Sequence, residues 1–180
     1  DANFSVFVGH NAGYAMTTGQ KNVALGTYAL DYETEGDFNV AIGHEALTSQ
    51  RTGGNIGNVA IGHQAGYANV TGAANVYLGY QAGYGSSAVA NNNVAIGWKS
   101  MSSRTDGDDN TAIGYNSGYA MTSGNGNVAV GSGALDALTT GDYNVAMGFY
   151  SLDAADGGES NNIAIGTNSM GAINHDDSDH

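Results

Sequence analysis

Cysteine and proline are absent from these 180 residues. Without cysteine there is no disulfide framework, and either redox compartment fits. A secreted form must therefore take its stability from elsewhere, for example from oligomerisation. Basic residues are almost missing: Lys21, Arg51, Lys99 and Arg104 stand against 17 Asp and Glu, a net charge of −13. Phosphate contacts need clustered Lys and Arg, so a nucleic-acid partner is excluded. The same deficit disfavours anionic membrane surfaces. No apolar run approaches the ~18 residues of a membrane span, so no membrane insertion is expected. No signal peptide is visible, and the chain starts at Asp1 without Met, which reads as a fragment or a processed form. What is abundant is glycine, 29 residues, together with 41% apolar residues whose regular placement argues against disorder.

That placement is a tandem repeat. A unit reading Asn-Val-Ala-Ile-Gly starts at residues 5, 22, 39, 58, 75, 93, 110, 127, 144 and 162, with spacings of 17 to 19 residues. The units fill residues 1–172 as one solenoid domain, and 173–180 form a polar acidic tail. Counting the first residue as position zero, that column is Ser5 and then Asn22, Asn39, Asn58, Asn75, Asn93, Asn110, Asn127, Asn144 and Asn162. Stacked Asn side chains predict an inter-coil ladder of hydrogen bonds, a structural role. Position four is Gly9, Gly26, Gly43, Gly62, Gly79, Gly97, Gly114, Gly131, Gly148 and Gly166. A glycine in every copy implies either positive φ or close approach of another segment.

Positions one and three are apolar except at Thr111, which predicts a half-buried strand with those residues inward. Position two is Ala in eight copies, with Phe7 and Tyr77 the exceptions; position seven is always Ala or Ser. These small residues read as a second face against which something else packs. Position eight is Leu or Met in six copies and Gly at 13, 66, 83 and 118, where Tyr14, Tyr67, Tyr84 and Tyr119 follow. The exchange predicts that position eight faces the core and that the following Tyr ring covers the space a Gly leaves. Each unit closes on a Gly/Asp/Asn/Thr turn. The predicted unit is strand, Gly corner, second short strand and turn, stabilised only by stacking. At ~4.8 Å per coil, ten coils make a rod of roughly 50 Å.

The residues 58–67, Asn-Val-Ala-Ile-Gly-His-Gln-Ala-Gly-Tyr, and 110–119, Asn-Thr-Ala-Ile-Gly-Tyr-Asn-Ser-Gly-Tyr, resemble repeats of phage tail fibres and related bacterial surface proteins. The shorter core is similar to the head repeats of trimeric autotransporter adhesins. The resemblance covers residues 6–172 and implies a left-handed parallel β-roll, three chains to a head, on a virion tail fibre or a bacterial cell surface. It also implies an obligate homotrimer in which the small position-two residues face a neighbouring chain. In many such fibres a self-cleaving C-terminal chaperone opens near a Ser-Asp pair followed by Arg-Leu-Lys. Asp177-Ser178-Asp179-His180 carries only the pair, and a flexible polar tail is the plainer reading.

Position five reads His10, Thr27, His44, His63, Tyr80, Trp98, Tyr115, Ser132, Phe149 and Thr167. Its members His63, Tyr80, Trp98 and Tyr115 predict a continuous aromatic stripe, with Phe149 further along. Such rings suit a host-surface glycan or receptor; the plainer reading is padding of corners or of an inter-chain seam. Histidine does not recur in every coil, which argues against a metal ladder, and His175 and His180 offer only adventitious binding. The acidic turn Asp106-Gly107-Asp108-Asp109 departs from calcium-binding repeats and reads as solvated. No catalytic constellation stands out, no cofactor is implied, and Glu33, Glu45 and Glu159 read as scattered and solvated, so no enzyme is expected. The leading expectation is an extracellular fibre segment or adhesin. A self-assembling filament subunit is the alternative, and an ice-binding solenoid comes third because Thr is scattered.

Overall fold

The computed structural model describes residues 4–51, 53–85, 89–103, 106–154 and 157–171. The tail, with His175, His180 and the Ser178-Asp179 pair, lies outside them, as do Arg104 and residues 86–88. Among the described residues the fold is all-β, with no helix. It is a parallel β-solenoid of about nine turns spaced by about 17 residues.

Every unit contributes one three-residue strand: β1 (Val6–Val8), β2 (Val23–Leu25), β4 (Val40–Ile42), β6 (Val59–Ile61), β7 (Val76–Leu78), β8 (Val94–Ile96), β9 (Thr111–Ile113), β10 (Val128–Val130), β11 (Val145–Met147) and β12 (Ile163–Ile165). These ten form one sheet in chain order, all parallel. The register puts like position on like position, as in Val40↔Val59, Ala41↔Ala60 and Ile42↔Ile61. The short strands β3 (Gly36–Asp37) and β5 (Gly54–Asn55) pair where one unit is lengthened to 19 residues.

The strand's two faces are the reverse of the expectation. Position two points inward: Ala24, Ala41, Ala60, Ala95, Ala112, Ala129, Ala146 and Ala164 are all buried. Positions one and three point outward and are half-buried or exposed, with Val8 60% and Ile165 69% accessible. The reason is thickness. A coil of 17 residues closes around a narrow interior, where position two meets the buried Ala and Ser of position seven and the Leu and Met of position eight. Alanine fits there and a branched side chain does not.

After the strand comes the Gly corner. Gly9 through Gly148 have φ between 130° and 143°, and a Cβ on any of them would sit on the carbonyl of the next unit's glycine. Both alternatives left open by the sequence, positive φ and close approach, hold at once. The segment that follows is no strand. Positions six and eight are left-handed throughout, as in Gln64 (φ 56°), Gly66 (φ 60°), Lys99 (φ 52°) and Met101 (φ 51°). For a non-glycine residue this conformation costs ~1–2 kcal/mol. Hydrogen bonds between coils offset it. Position six donates back to the preceding coil (Lys99 N to Tyr80 O, 2.9 Å), and position eight donates forward (Met101 N to Ser117 O, 3.0 Å).

The glycines of position eight are filled across the core and not by the tyrosine that follows them. A Cβ on Gly13 would meet the Phe7 ring, and one on Gly66 or Gly83 would meet the Tyr77 ring. Phe7 and Tyr77, the two departures from Ala at position two, thus occupy what the missing Leu side chains leave. Beside Gly118 the volume is taken by Met121 and Met101. The tyrosines of position nine lie outside: Tyr14 is 76% exposed, and Tyr67 stacks on Tyr84 at 5.2 Å.

Candidate functional site

The Asn column is buried from Asn22 to Asn162 and forms a continuous ladder. Each side-chain oxygen accepts the backbone N–H of the next coil's Asn, as in Asn127 N to Asn110 Oδ1 (2.9 Å) and Asn144 N to Asn127 Oδ1 (2.9 Å). In most rungs the amide nitrogen reaches a turn carbonyl, as from Asn58 to Gly72 at 2.7 Å, Asn110 to Gly124 at 2.7 Å and Asn127 to Gly141 at 2.8 Å, while Asn39 Nδ2 is buried with no partner among the described residues. In the first unit Ser5 Oγ takes the acceptor's place for Asn22 N.

A second ladder runs through the turns in the opposite sense, and the sequence reading missed it. Backbone N–H groups two residues before the Asn column donate to a side-chain oxygen of the following coil: Gln20 to Asp37, Asn91 to Asp108, Asp108 to Asn125, Asn125 to Asp142, and Asp142 to Ser160. The signal was an oxygen-bearing side chain recurring at one turn position. Asp108 is engaged in this way, and Asp109 accepts from Asn92. Among the described residues no cluster of three or more His, Asp or Glu side chains forms that would hold a metal ion.

Of Glu33, Glu45 and Glu159, two are not solvated. Glu33 is fully buried, and its Oε1 accepts the backbone N–H of Thr34, Glu35 and Gly36. Glu159 is 2% exposed and accepts from Gly157 N. Glu33 sits at a core-facing turn position that other units fill with Gln50, Asn69, Met121 or Leu138, all buried, whereas Glu159 stands in the turn column of Gly124 and Gly141, its backbone carbonyl accepting from Asn144 Nδ2 at 2.7 Å. Backbone donors there satisfy a carboxylate as well as they satisfy the Asn69 amide, which accepts from Gly72 N. Glu45 is partly exposed and accepts from Gln64 Nε2 at 2.7 Å.

The position-five column lies on the surface just past the Gly corner. His44 stacks on His63 (5.2 Å, 10°), His63 on Tyr80 (5.2 Å, 11°) and Tyr80 on Trp98 (4.0 Å, 14°). The stack begins one coil earlier than expected and ends at Trp98. Tyr115 stands 54% exposed and makes no ring contact among the described residues, and Phe149 meets Tyr150 edge-on at 4.5 Å. At the other end Tyr28 bridges His10 and His44 edge-on. The coil rise near 4.8 Å makes face-to-face stacking the natural packing of identical positions. The result is a flat aromatic surface four rings long.

Beside its His44 end lies a cleft of about 300 Å³ lined by Tyr28, Asp31, Tyr32, Glu45, Thr48 and Tyr67. Burial raises the Asp31 carboxyl above its ordinary range, with His10 opposing. Burial, then Glu45, Tyr84 and Tyr32, raise the Tyr67 hydroxyl. No protein-family model, no curated protein and no solved structure matches this chain.

Proposed function

We propose that this chain is a structural segment of an extracellular fibre or adhesin, of a phage tail or a bacterial surface, built as a homotrimer and serving attachment. It has no catalytic role in this reading. The observation that carries it is the outward face of the ten-stranded sheet. Positions one and three are aliphatic in every coil except at Thr111, so an apolar ribbon runs the length of the sheet, roughly 48 Å at ~4.8 Å per strand. Contiguous apolar ribbons of this extent mark interaction surfaces. Another copy of the same chain matches the ribbon coil for coil, and rotational symmetry closes the assembly. Three copies follow from the resemblance to trimeric heads.

The trimer contact changes with the fold. The alanines of position two are inside each coil, so Val, Ile, Leu and Met side chains make the seam instead. Sedimentation equilibrium tests this: the expected mass is three times 18.2 kDa. A folded monomer at micromolar concentration refutes the assembly, and Ile61→Asp is expected to break it by placing a charge in the seam. In the same reading the stacked His44, His63, Tyr80 and Trp98, with Tyr115 and Phe149 beyond them, contact a host-surface glycan or receptor. Trp98→Ala then abolishes binding on a glycan array, and unchanged binding removes the stripe from consideration.

The filament reading draws on one feature, that among the described residues β1 and β12 each pair on one side only. Electron microscopy separates the two: short discrete rods support the fibre segment, and filaments that lengthen with concentration support the subunit.

A further inference from the structure

The cleft beside the aromatic column is built differently from the rest of the surface. The side-chain oxygens of the Asn column and of turn residues such as Asp108, Asn125 and Asp142 are engaged by ladders between coils. Asp31 is not. It is 7% exposed, it lines the cleft, and its Oδ1 oxygen is buried without a hydrogen-bond partner. An unpartnered buried carboxylate oxygen costs folding free energy, which a fitting ligand returns on binding. Tyr28, Tyr32, Tyr67 and Glu45 line the same cleft; Thr48, also in the lining, has its hydroxyl tied to Tyr28 O at 2.8 Å.

The lining is rich in acceptors and in π faces, and none of its six side chains is cationic. That selects a ligand that brings donors or positive charge. Two carboxylates without a third acid or a histidine are too few for a metal, and Glu45 already accepts from Gln64. Aromatic faces beside carboxylates are what an ammonium group requires. The ring of Tyr32 already shows this preference, with the Arg51 guanidinium 4.7 Å from its centre. The volume, at the small end of ligand pockets, suits a compact head group.

We propose that the Asp31 cleft binds a compact organic cation, a primary or methylated ammonium group, with Asp31 as the counter-charge and Tyr28 and Tyr67 as the flanking rings. The site is separate from the trimer seam and adjoins the aromatic column through the Tyr28–His44 contact. Cations presented on a surface are thus a second class of contact for this segment.

The test is a calorimetric and proton NMR titration of the full chain with choline chloride at constant ionic strength. The uncharged alcohol of the same shape, 3,3-dimethylbutan-1-ol, serves as control. Saturable choline binding with shifts of tyrosine ring resonances is expected. The neutral alcohol should bind at least about tenfold more weakly, and so should choline to Asp31→Asn. Trp98→Ala should bind choline as the parent does, which distinguishes this site from the aromatic column. Circular dichroism checks that Asp31→Asn is folded. If it is not, Tyr67→Leu takes its place, with the same loss expected. Absence of saturation, an equal response to the neutral alcohol, or full binding by the variant overturns the proposal. Saturable binding of a neutral hexose in place of choline overturns it as well.

Discussion

Replacing Asn110 by Ala removes one rung from the middle of the ladder and nothing from the outer surface. Two groups lose their partners: the backbone N–H of Asn127, which donates to Asn110 Oδ1 at 2.9 Å, and the carbonyl of Gly124, which accepts from Nδ2 at 2.7 Å. Both bonds are buried. At about 1–3 kcal/mol for each orphaned buried group, the loss is about 4 kcal/mol. The bond from Asn110 N to Asn93 Oδ1 survives, since it uses the backbone. Two comparisons make the figure specific. In the last unit, no described residue donates to Asn162 Oδ1, so Asn162→Ala should cost about 1 kcal/mol. Asn110→Ser keeps an acceptor, as Ser5 does naturally for Asn22, and should recover about half of the loss. The assay is guanidinium unfolding followed by far-ultraviolet circular dichroism, at one protein concentration for all variants. Equal losses at Asn110 and Asn162, or a loss under about 1 kcal/mol at Asn110, would refute the reasoning that the ladder holds the coils together.

Gly62→Ala drives a methyl into the carbonyl of Gly79 and should cost more than about 3 kcal/mol, whereas Gly166→Ala meets only Ser169 Cβ at 4.0 Å and should cost about 1–2 from its backbone angle alone; thermal melts compare them. Tyr77→Ala empties the space facing Gly66 and Gly83 and should cost about 3–5 kcal/mol; adding Gly66→Leu and Gly83→Leu should return part of it, because that is the pairing of Ala41 and Leu47, and a triple variant no better than Tyr77→Ala refutes the exchange. Asp136 is held above its ordinary range by burial and then by Asp153 of the next coil. With the folded value raised, its contribution to stability is full below the unfolded value and is lost as pH rises through the folded one. Asp136→Asn should therefore raise the melting temperature at pH 7, and the gap should close in acid. A gap that widens in acid contradicts the sign.

The period, the corner glycines and the Asn ladder were legible because each is a one-residue column, and a column survives whatever the third dimension does. The inside of the strand was not. Alternation along Val40-Ala41-Ile42 defines two faces without saying which is inward, and the habit of placing the larger aliphatic residues inside fails when the interior is one alanine thick. The partner of each position-eight glycine was misread for a related reason. Tyr67 is adjacent in sequence to Gly66, while Tyr77, which fills the space, is a coil away. The buried Glu33 was hidden because nothing in the chain announces that three backbone N–H groups converge on it. The aromatic column was visible as far as its membership. Where stacking starts and stops depends on ring orientation, which residue type does not fix. The cleft had one trace, an Asp at a position that four other units give to Tyr.

The ring of Tyr77 also bears on how such an array can change its length. Register on register, most units look interchangeable, so slippage during replication or recombination between copies would be expected to add and remove coils freely. Tyr77 forbids that locally. Its ring serves the gaps of two units, at Gly66 and at Gly83, so excising the unit that starts at Asn75 would leave Gly66 facing an alanine across an empty space. Duplicating only the unit that starts at Asn58 would create a second gap with no ring to fill it. On this packing the stretch from Asn58 to Asn92 is expected to be kept or lost as a block, while units joined by Ala and Leu, such as those starting at Asn22 and Asn127, are expected to tolerate copying or loss singly. Length variation among descendants of this sequence is expected to fall outside that block.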